Sequence, residues 1–92
     1  MKVENMTSSR SYAKVANQFI IVDDDGNEFF QSYQTIIARI PRDSNDPTSL
    51  DRDKWDYSRT TGVYRNIFLG ETKAETQKKI DSGEYILTDL NI

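Results

Sequence analysis

The side chains that could do chemistry in this chain are carboxylates, hydroxyls and cations, because its 92 residues include no His and no Cys. That absence excludes thiol nucleophiles, Ser-His-Asp triads, His bases, disulfides and zinc sites built on Cys or His. Catalysis would have to rest on carboxylates, Lys or Tyr. The carboxylates are scattered through predicted loops, and no Gly-rich phosphate loop is present. We therefore expect no enzymatic activity and no cofactor.

Two groups of carboxylates are candidates for metal ligands or for a binding surface. The first surrounds Gly26 and comprises Asp23, Asp24, Asp25 and Glu28. The second lies in the segment 41–54 and comprises Asp43, Asp46, Asp51 and Asp53. In the first group, an EF-hand loop with Gly26 at its sixth position would begin at Ile21, whose side chain cannot bind calcium. The second group lacks a Gly at the position that such a loop requires. We expect no metal site, and the groups serve either partner binding or solubility.

The densest mixture of functional side chains is the segment 54–61, which holds the single Trp of the chain. In a structural interpretation, Trp55 and Tyr57 pack on a sheet while Asp56 or Ser58 caps a helix. In a functional interpretation, Trp55, Tyr57 and Arg59 form a binding surface, since Trp, Tyr and Arg are enriched in interface hot spots. With Arg52, Lys54 and Arg65, the same aromatics would also suit stacking on single-stranded nucleic acid.

Length and charge limit the organisation of the chain. A chain of 92 residues fits one domain, so we predict a single domain over 1–92, with a loosely ordered leader over 1–14 and a long acidic loop over 41–54. The net charge of −3 lacks the basic footprint of a duplex-DNA binder. No apolar run is long enough for a membrane span, and we expect a cytoplasmic protein without a membrane partner. The oligomeric state stays open.

The first half of the chain is typical of strands. An apolar run over 18–22, the turn signal Asp25-Gly26 and a return over 28–32 predict a hairpin, with Phe29 and Phe30 on opposite faces. The segment 33–40 continues in extended form, with a bend, a bulge or a new strand near Tyr33-Gln34. Its period of two places Ile36, Ala38 and Ile40 on one face. The acidic loop that follows includes a short strand around Thr48–Leu50 in one interpretation.

The second half is typical of helices followed by a strand. Ser58 or Thr60 caps a helix that ends near Leu69, with Gly70 at its C-cap. Thr72 and Glu75 match a capping box that starts a second helix, which ends near Ser82. Residues 85–90 predict a closing strand. The predicted fold is α+β, a small antiparallel sheet of three to four strands with two short helices on one face, in the order β-β-(β)-α-α-β.

Two segments carry a resemblance. The strand Ser32–Ala38, and the segment Trp55–Thr61 followed by Phe68-Leu69, resemble small proteins of phages and other mobile elements with a "SYxTxIA" strand and a "WDYSxTT…FL" strand-to-helix corner. A phage origin implies a protein that binds and blocks a host defence protein, such as a CRISPR or restriction nuclease. Acidic groups suit that role, since they can occupy a basic, nucleic-acid-binding cleft.

We therefore predict a non-catalytic, phage-type inhibitor that binds a nucleic-acid-handling host protein in the host cytosol. Its partner-binding residues are predicted to be Asp23, Asp24, Asp25, Glu28, Asp43, Asp46, Asp51, Asp53, Trp55, Tyr57 and Arg59. One alternative is a single-stranded nucleic-acid binder that uses Trp55, Tyr57 and the neighbouring Arg side chains. Another is an assembly component of a virion or a replication complex.

Overall fold

The computed structural model describes residues 1–8 and 10–91. These residues form a six-stranded sheet and two helices, an α+β arrangement. The elements are β1 (Lys2–Thr7), β2 (Lys14–Val22), β3 (Glu28–Ser32), β4 (Thr35–Ile40), β5 (Ser49–Asp51), α1 (Arg59–Leu69), α2 (Lys73–Ser82) and β6 (Ile86–Thr88). The strands are neighbours in the sheet in the same order as in the sequence.

The sheet is larger than the three to four antiparallel strands predicted, and it is mixed. Strands β1 to β5 pair antiparallel, whereas β6 runs parallel to β5. Two parallel neighbours need a crossover connection, and α1 and α2 supply it. The predicted count is too low because β1 is mostly polar and β5 has three residues, so neither contains a long apolar run.

Residues 2–7 form an edge strand where the sequence predicted part of a loosely ordered leader. The register pairs Lys2 with Val22 and Asn5 with Phe19. Within β1 only Met6 is buried, and it joins the hydrophobic core. An edge strand takes its ladder hydrogen bonds from one neighbour and tolerates polar side chains. The polar composition of β1 therefore gave no indication of a strand.

The hairpin predicted at Asp25-Gly26 is confirmed by the pairing of β2 with β3. Gly26 has a φ of +89°, a backbone conformation that glycine adopts without steric cost. Phe29 and Phe30 lie on opposite faces as predicted, since Phe30 is fully buried and Phe29 is half-buried. The bend predicted near Tyr33-Gln34 is a turn between β3 and β4.

The predicted apolar face of Ile36, Ala38 and Ile40 is wrong in part. A bulge in β4 shifts the register after the pair of Phe30 with Ala38, and Ile37 is left without a partner. Ile37 and Ala38 are therefore both fully buried, although they are adjacent in sequence. The bulge disrupts the period of two on which the prediction was based.

The segment predicted as a long acidic loop over 41–54 is interrupted by β5. This strand lies close to the position considered from the sequence, Thr48–Leu50, and it pairs with both β4 and β6. Leu50 is fully buried and anchors the segment in the core. The remaining parts of the segment therefore leave the sheet at its two opposite ends.

Both helices and their caps are confirmed. The Ser58 hydroxyl accepts the Thr61 N–H at 3.1 Å, and Gly70 ends α1 in the left-handed conformation. Thr72 and Glu75 form the predicted capping box at the start of α2. In the described residues, no helix is both long and apolar enough to span a membrane.

A cluster of buried apolar side chains joins the sheet to both helices. The cluster comprises Met6, Phe30, Ile37, Ala38, Leu50 and Tyr85. Helix α1 packs Tyr64, Phe68 and Leu69 against it, and α2 packs Ile80. The Phe30 and Phe68 ring centroids are 5.9 Å apart, within the range of aromatic pairing. Ile67, also in α1, is half-exposed.

The carboxylate of Glu71, between the two helices, ties α2 to the start of β6. It accepts hydrogen bonds from the Thr76 hydroxyl, from Lys79 Nζ at 2.7 Å and from the Tyr85 hydroxyl at 2.9 Å. Burial alone raises the pKa of Glu71, but these hydrogen bonds outweigh burial and hold the pKa below its usual value. The charged form of Glu71 therefore stabilises the fold.

Candidate binding surface

The sheet has two ends, and the predicted site residues are divided between them. The register places Glu28 opposite Ile40 at one end and Ser32 opposite Thr35 at the other. The strand between them spans about 14 Å, at roughly 3.4 Å per residue. We call the first the acidic end (residues 23–28 with segment 41–48) and the second the tyrosine end (residues 10–14, 33–34 and 52–59).

The acidic end brings together carboxylates from both predicted groups, and its exposed members are Asp24, Asp25, Glu28, Asp43 and Asp46. Asn27 joins the two segments, because its Oδ1 accepts the Arg42 N–H at 3.0 Å. The Arg42 side chain also lies against Gly26, where a Cβ would approach Arg42 Cδ to 2.9 Å. Within residues 1–8 and 10–91, no three acidic side chains are grouped so that they could hold a metal ion.

Asp23, also predicted to bind a partner, uses its carboxylate inside the turn. Oδ1 accepts the N–H groups of Asp25 at 3.0 Å and Asn27 at 2.9 Å, and Oδ2 accepts the Asn27 side-chain amide at 3.0 Å. The bond from that side chain is the largest cause of a pKa of Asp23 below its usual value. Asp23 therefore shapes the turn that presents its neighbours to solvent.

Asp51 was predicted at the binding surface, yet its exposure is only 4%. Oδ1 accepts the Leu90 N–H at 2.9 Å and the Asn91 side-chain amide at 3.1 Å. Oδ2 accepts the N–H groups of Asp53 at 3.3 Å and Lys54 at 3.0 Å. All four bonds are internal, so Asp51 holds the tyrosine end together and is not placed to touch a partner. Asp53 remains exposed.

Trp55 follows the structural interpretation. Its ring packs against the hydrophobic core, and the Arg65 guanidinium lies over it at 5.1 Å from the ring centroid. The Trp55 N–H donates to the Asp51 carbonyl at 3.0 Å. Tyr57 is exposed, as a binding role requires, and the Lys54 ammonium lies over its ring, 5.3 Å from the ring centroid. Arg59 is exposed beside it.

The tyrosine end also carries two residues that the sequence analysis did not select. Tyr12, Tyr33 and Tyr57 are 82%, 52% and 43% exposed. Tyr12 and Tyr33 have φ angles of +55° and +57°, which are costly for a residue with a Cβ. Such strained residues cluster at functional sites. The sequence predicts a bend near Tyr33, but it does not mark a left-handed backbone there, since Gly and Asn are the residues that usually adopt it.

A chain of buried hydroxyls joins the loops of Tyr33 and Tyr57. The Thr61 hydroxyl lies 3.0 Å from the Ser32 hydroxyl and 3.0 Å from the Ser58 hydroxyl. Ser32 and Ser58 directly adjoin the two tyrosines in sequence, so the loops are held side by side. The two segments that carry the resemblance meet at this point.

Backbone hydrogen bonds fix the turn that carries Tyr33. Its N–H donates to the Asn17 carbonyl at 2.6 Å, and its own carbonyl accepts the Gln31 side-chain amide at 2.7 Å. Tyr12 lies farther out, because β2 extends beyond β3 by residues 14–17. The exposed cations at this end are Arg10, Lys14, Arg52, Lys54 and Arg59. The tyrosine end thus offers exposed aromatic rings among exposed cations.

A sequence profile of a protein family, described as a family of unknown function (DUF8033), matches residues 1–84. No curated protein matches the chain. No solved structure matches it either. The site is therefore interpreted from its own geometry.

Proposed function

The chain belongs to DUF8033, a family of unknown function, and from its geometry we propose that it acts by binding another macromolecule at the tyrosine end, without catalysis. The observation that supports this proposal is the display of exposed Tyr33 and Tyr57 on two loops locked together by buried hydroxyls. Tyr rings supply a large contact area at a low cost in side-chain entropy, which suits a binding surface. The left-handed backbone at Tyr12 and Tyr33 also supports a binding surface here, because strained residues cluster at functional sites.

The partner that we propose is a protein whose basic surface faces the acidic end, while other parts of it contact the tyrosines. The net charge of −3 and the exposed acidic end repel nucleic-acid phosphates and attract cationic surfaces. A standard interface covers about 800 Å² on each partner. A single cleft of the partner can therefore contact both ends of β3, which lie about 14 Å apart. A nucleic-acid-handling protein of host defence offers such a cleft. The chain would be its stoichiometric, phage-type inhibitor, of the anti-CRISPR or anti-restriction kind, in the host cytosol.

The second candidate function is binding of single-stranded nucleic acid. It is favoured by the Lys54 ammonium over the Tyr57 ring and by the exposed Arg52 and Arg59 nearby. Aromatic rings among cations stack on unpaired bases and contact the phosphates. The exposed carboxylates of Asp53 and Asp89 oppose this function, because they line the same surface as Lys54.

Affinity purification with three variants separates these functions. The tyrosine-end variant carries Tyr33→Ser and Tyr57→Ser, the acidic-end variant carries Asp24→Asn and Asp25→Asn, and Ile67→Ser is the control for an exposed apolar residue. From nuclease-treated host lysate, the intact chain and the control should retain one protein in near-equimolar amount. The tyrosine-end variant should lose it, and the acidic-end variant should bind it more weakly at low salt, with the difference from the intact chain shrinking as the salt concentration rises.

Three results would count against the proposed function. Retention of the partner by the tyrosine-end variant would place the contact elsewhere. Tight, salt-sensitive quenching of Trp55 fluorescence by a single-stranded oligonucleotide, without a protein partner, would favour the second candidate. A large homo-oligomer in light scattering, again without a partner, would favour an assembly component.

A further inference from the structure

A groove of about 470 Å³ adjoins the tyrosine end, shares Tyr57 and Arg59 with it and extends to the start of α2. Its walls are the first turns of α1, the start of α2 and the residues that precede α1. Its position between two helices, with Tyr57 at its rim, is typical of small-ligand sites, which occur where elements meet.

The charge of the groove is positive although the chain is acidic. Arg59, Arg65 and Lys73 line it, with Asp56 as the opposing carboxylate. Asp56 contacts Arg65 at 3.1 Å and Lys73 at 2.7 Å. Burial raises the pKa of Asp56, but the bonds from Lys73 and Arg65 outweigh it and the pKa lies below its usual value. The single carboxylate pairs with two of the three cations, so the groove carries a net charge of two positive units.

Arg65 is the unusual member of this set, because a cation with an exposure of only 1% is rarely tolerated unless it is fully paired. Its Nη1 donates to the Trp55 carbonyl at 2.8 Å and its Nη2 to Asn66 Oδ1 at 3.0 Å. Its Nε has no hydrogen-bond partner in the described part of the chain. Gly62 lies against the guanidinium, since a Cβ there would be 3.6 Å from Nη2, an ordinary van der Waals contact.

The start of α1 adds to the positive potential. The N-terminus of a helix carries partial positive charge, and acidic residues normally occupy its first turn. The first turn of α1 contains no acidic residue, and its first residue is Arg59. This arrangement disfavours the isolated helix and favours an anion placed beside it.

We propose that this groove binds the phosphate group of a nucleotide-type ligand. Arg59 and Lys73 contact the phosphate, the buried Arg65 provides a fixed positive charge behind them, and Tyr57 stacks on the ring attached to the phosphate. A phosphate fits better than a carboxylate, because its second charge matches the net positive charge of the groove. The phosphate comes from a free nucleotide or from the backbone of a single strand.

Titration of the full chain, followed by backbone amide NMR and calorimetry, tests the site. The probes are inorganic phosphate, pyrophosphate, a nucleoside diphosphate and an oligothymidylate. We expect pyrophosphate to shift the amides at the start of α1. Arg59→Gln and Lys73→Gln should each weaken binding by about 3- to 10-fold, whereas Lys78→Gln, an exposed cation of α2 outside the groove, should have no effect. Circular dichroism of each variant checks the fold.

Asp56→Asn gives a test of opposite sign. It removes the carboxylate that competes with the ligand and should tighten phosphate binding by about 3- to 10-fold. If Asp56 only maintained the structure, this variant would weaken binding or leave it unchanged, and that result would overturn the proposal.

The probes also identify the source of the phosphate. Tighter binding of the nucleoside diphosphate indicates a free nucleotide, and tighter binding of the oligothymidylate indicates a strand. No response to phosphate or pyrophosphate at about 10 mM would overturn the site. Equal weakening by Lys78→Gln would do the same, since it would show non-specific attraction. The tyrosine-end variant removes Tyr57 but leaves Arg59 and Lys73 in place, so it should still bind pyrophosphate, which has no ring to stack. Failure of the site and failure of the proposed function are therefore distinguishable.

Discussion

Replacement of Asp51 by Ala should destabilise the fold by about 2–4 kcal/mol, even though the residue stands in an acidic segment. The carboxylate accepts four hydrogen bonds, from Leu90, Asn91, Asp53 and Lys54, and it is almost fully buried. Each bond contributes about 0.5–1 kcal/mol net, because the freed donors lie near the surface and can bind water. The four together give the stated range.

Urea unfolding followed by circular dichroism measures this effect. The midpoint should fall while the dependence on urea stays constant, since the variant exposes no additional surface. At about 4–8 °C per kcal/mol, the melting temperature should fall by about 10–30 °C. Asp53→Ala is the matched control, an exposed carboxylate two residues away, and should change stability by less than about 0.5 kcal/mol.

Asp51→Asn refines the test. The Asn side chain keeps one oxygen, which can still accept two of the four bonds. Its NH₂ group faces the N–H groups that donated to Oδ2, so those two bonds are lost. We therefore expect about half of the destabilisation caused by Asp51→Ala. If Asp51→Ala were no more destabilising than Asp53→Ala, the assignment of Asp51 to the fold would be wrong. Its predicted place on the binding surface would then be open again.

Three further predictions concern the turns and the buried carboxylate. Gly26→Ala should lower the free energy of unfolding by about 2 kcal/mol, because the positive φ of Gly26 is combined with a close approach of Arg42. Thermal unfolding measures this change. Gly70→Ala, with a positive φ but open space, should cost about 1 kcal/mol. The lowered folded pKa of Glu71 means that its stabilisation is full above the ordinary pKa of 4.5 and is lost as the pH falls through the folded value. Glu71→Gln should therefore flatten the decline in unfolding free energy at acidic pH. Tyr33→Gly should stabilise the turn by about 0.5 kcal/mol while it weakens partner binding, measured by unfolding and affinity purification.

Each of these has a contradicting result. Equal costs at Gly26 and Gly70 would show that the Arg42 contact is unimportant. If the unfolding free energy of Glu71→Gln declined at acidic pH as steeply as that of the intact chain, the acid sensitivity would belong to other carboxylates. Loss of stability in Tyr33→Gly would show that the left-handed turn is not strained.

The local signals that the sequence predicted correctly are those with a direct stereochemical cause. Gly26, Gly70 and the capping box at Thr72 each satisfy a local backbone requirement, and each was located from residue type and spacing alone. The pairing of β5 with β6 depends on a crossover of two helices, so no local pattern contains it. The edge strand β1 was concealed because its stability comes from β2, not from its own side chains.

The candidate site was predicted only in part for a related reason. Composition shows that carboxylates are abundant, but it cannot show that Asp51 turns inward to accept four bonds while Asp53 remains in solvent. Trp55 has the residue type of a hot spot and the contacts of a core residue. Tyr33 became a candidate only when its backbone conformation was known.

Site-specific photo-crosslinking tests the central claim most directly. A benzophenone side chain is placed in turn at position 33, at position 57 and, as a control, at position 78 on the exposed surface of α2. We predict that light produces one defined protein adduct from positions 33 and 57 in nuclease-treated host lysate, and none from position 78. The absence of adducts from positions 33 and 57, or the same adducts from position 78, would contradict a binding surface at the tyrosine end.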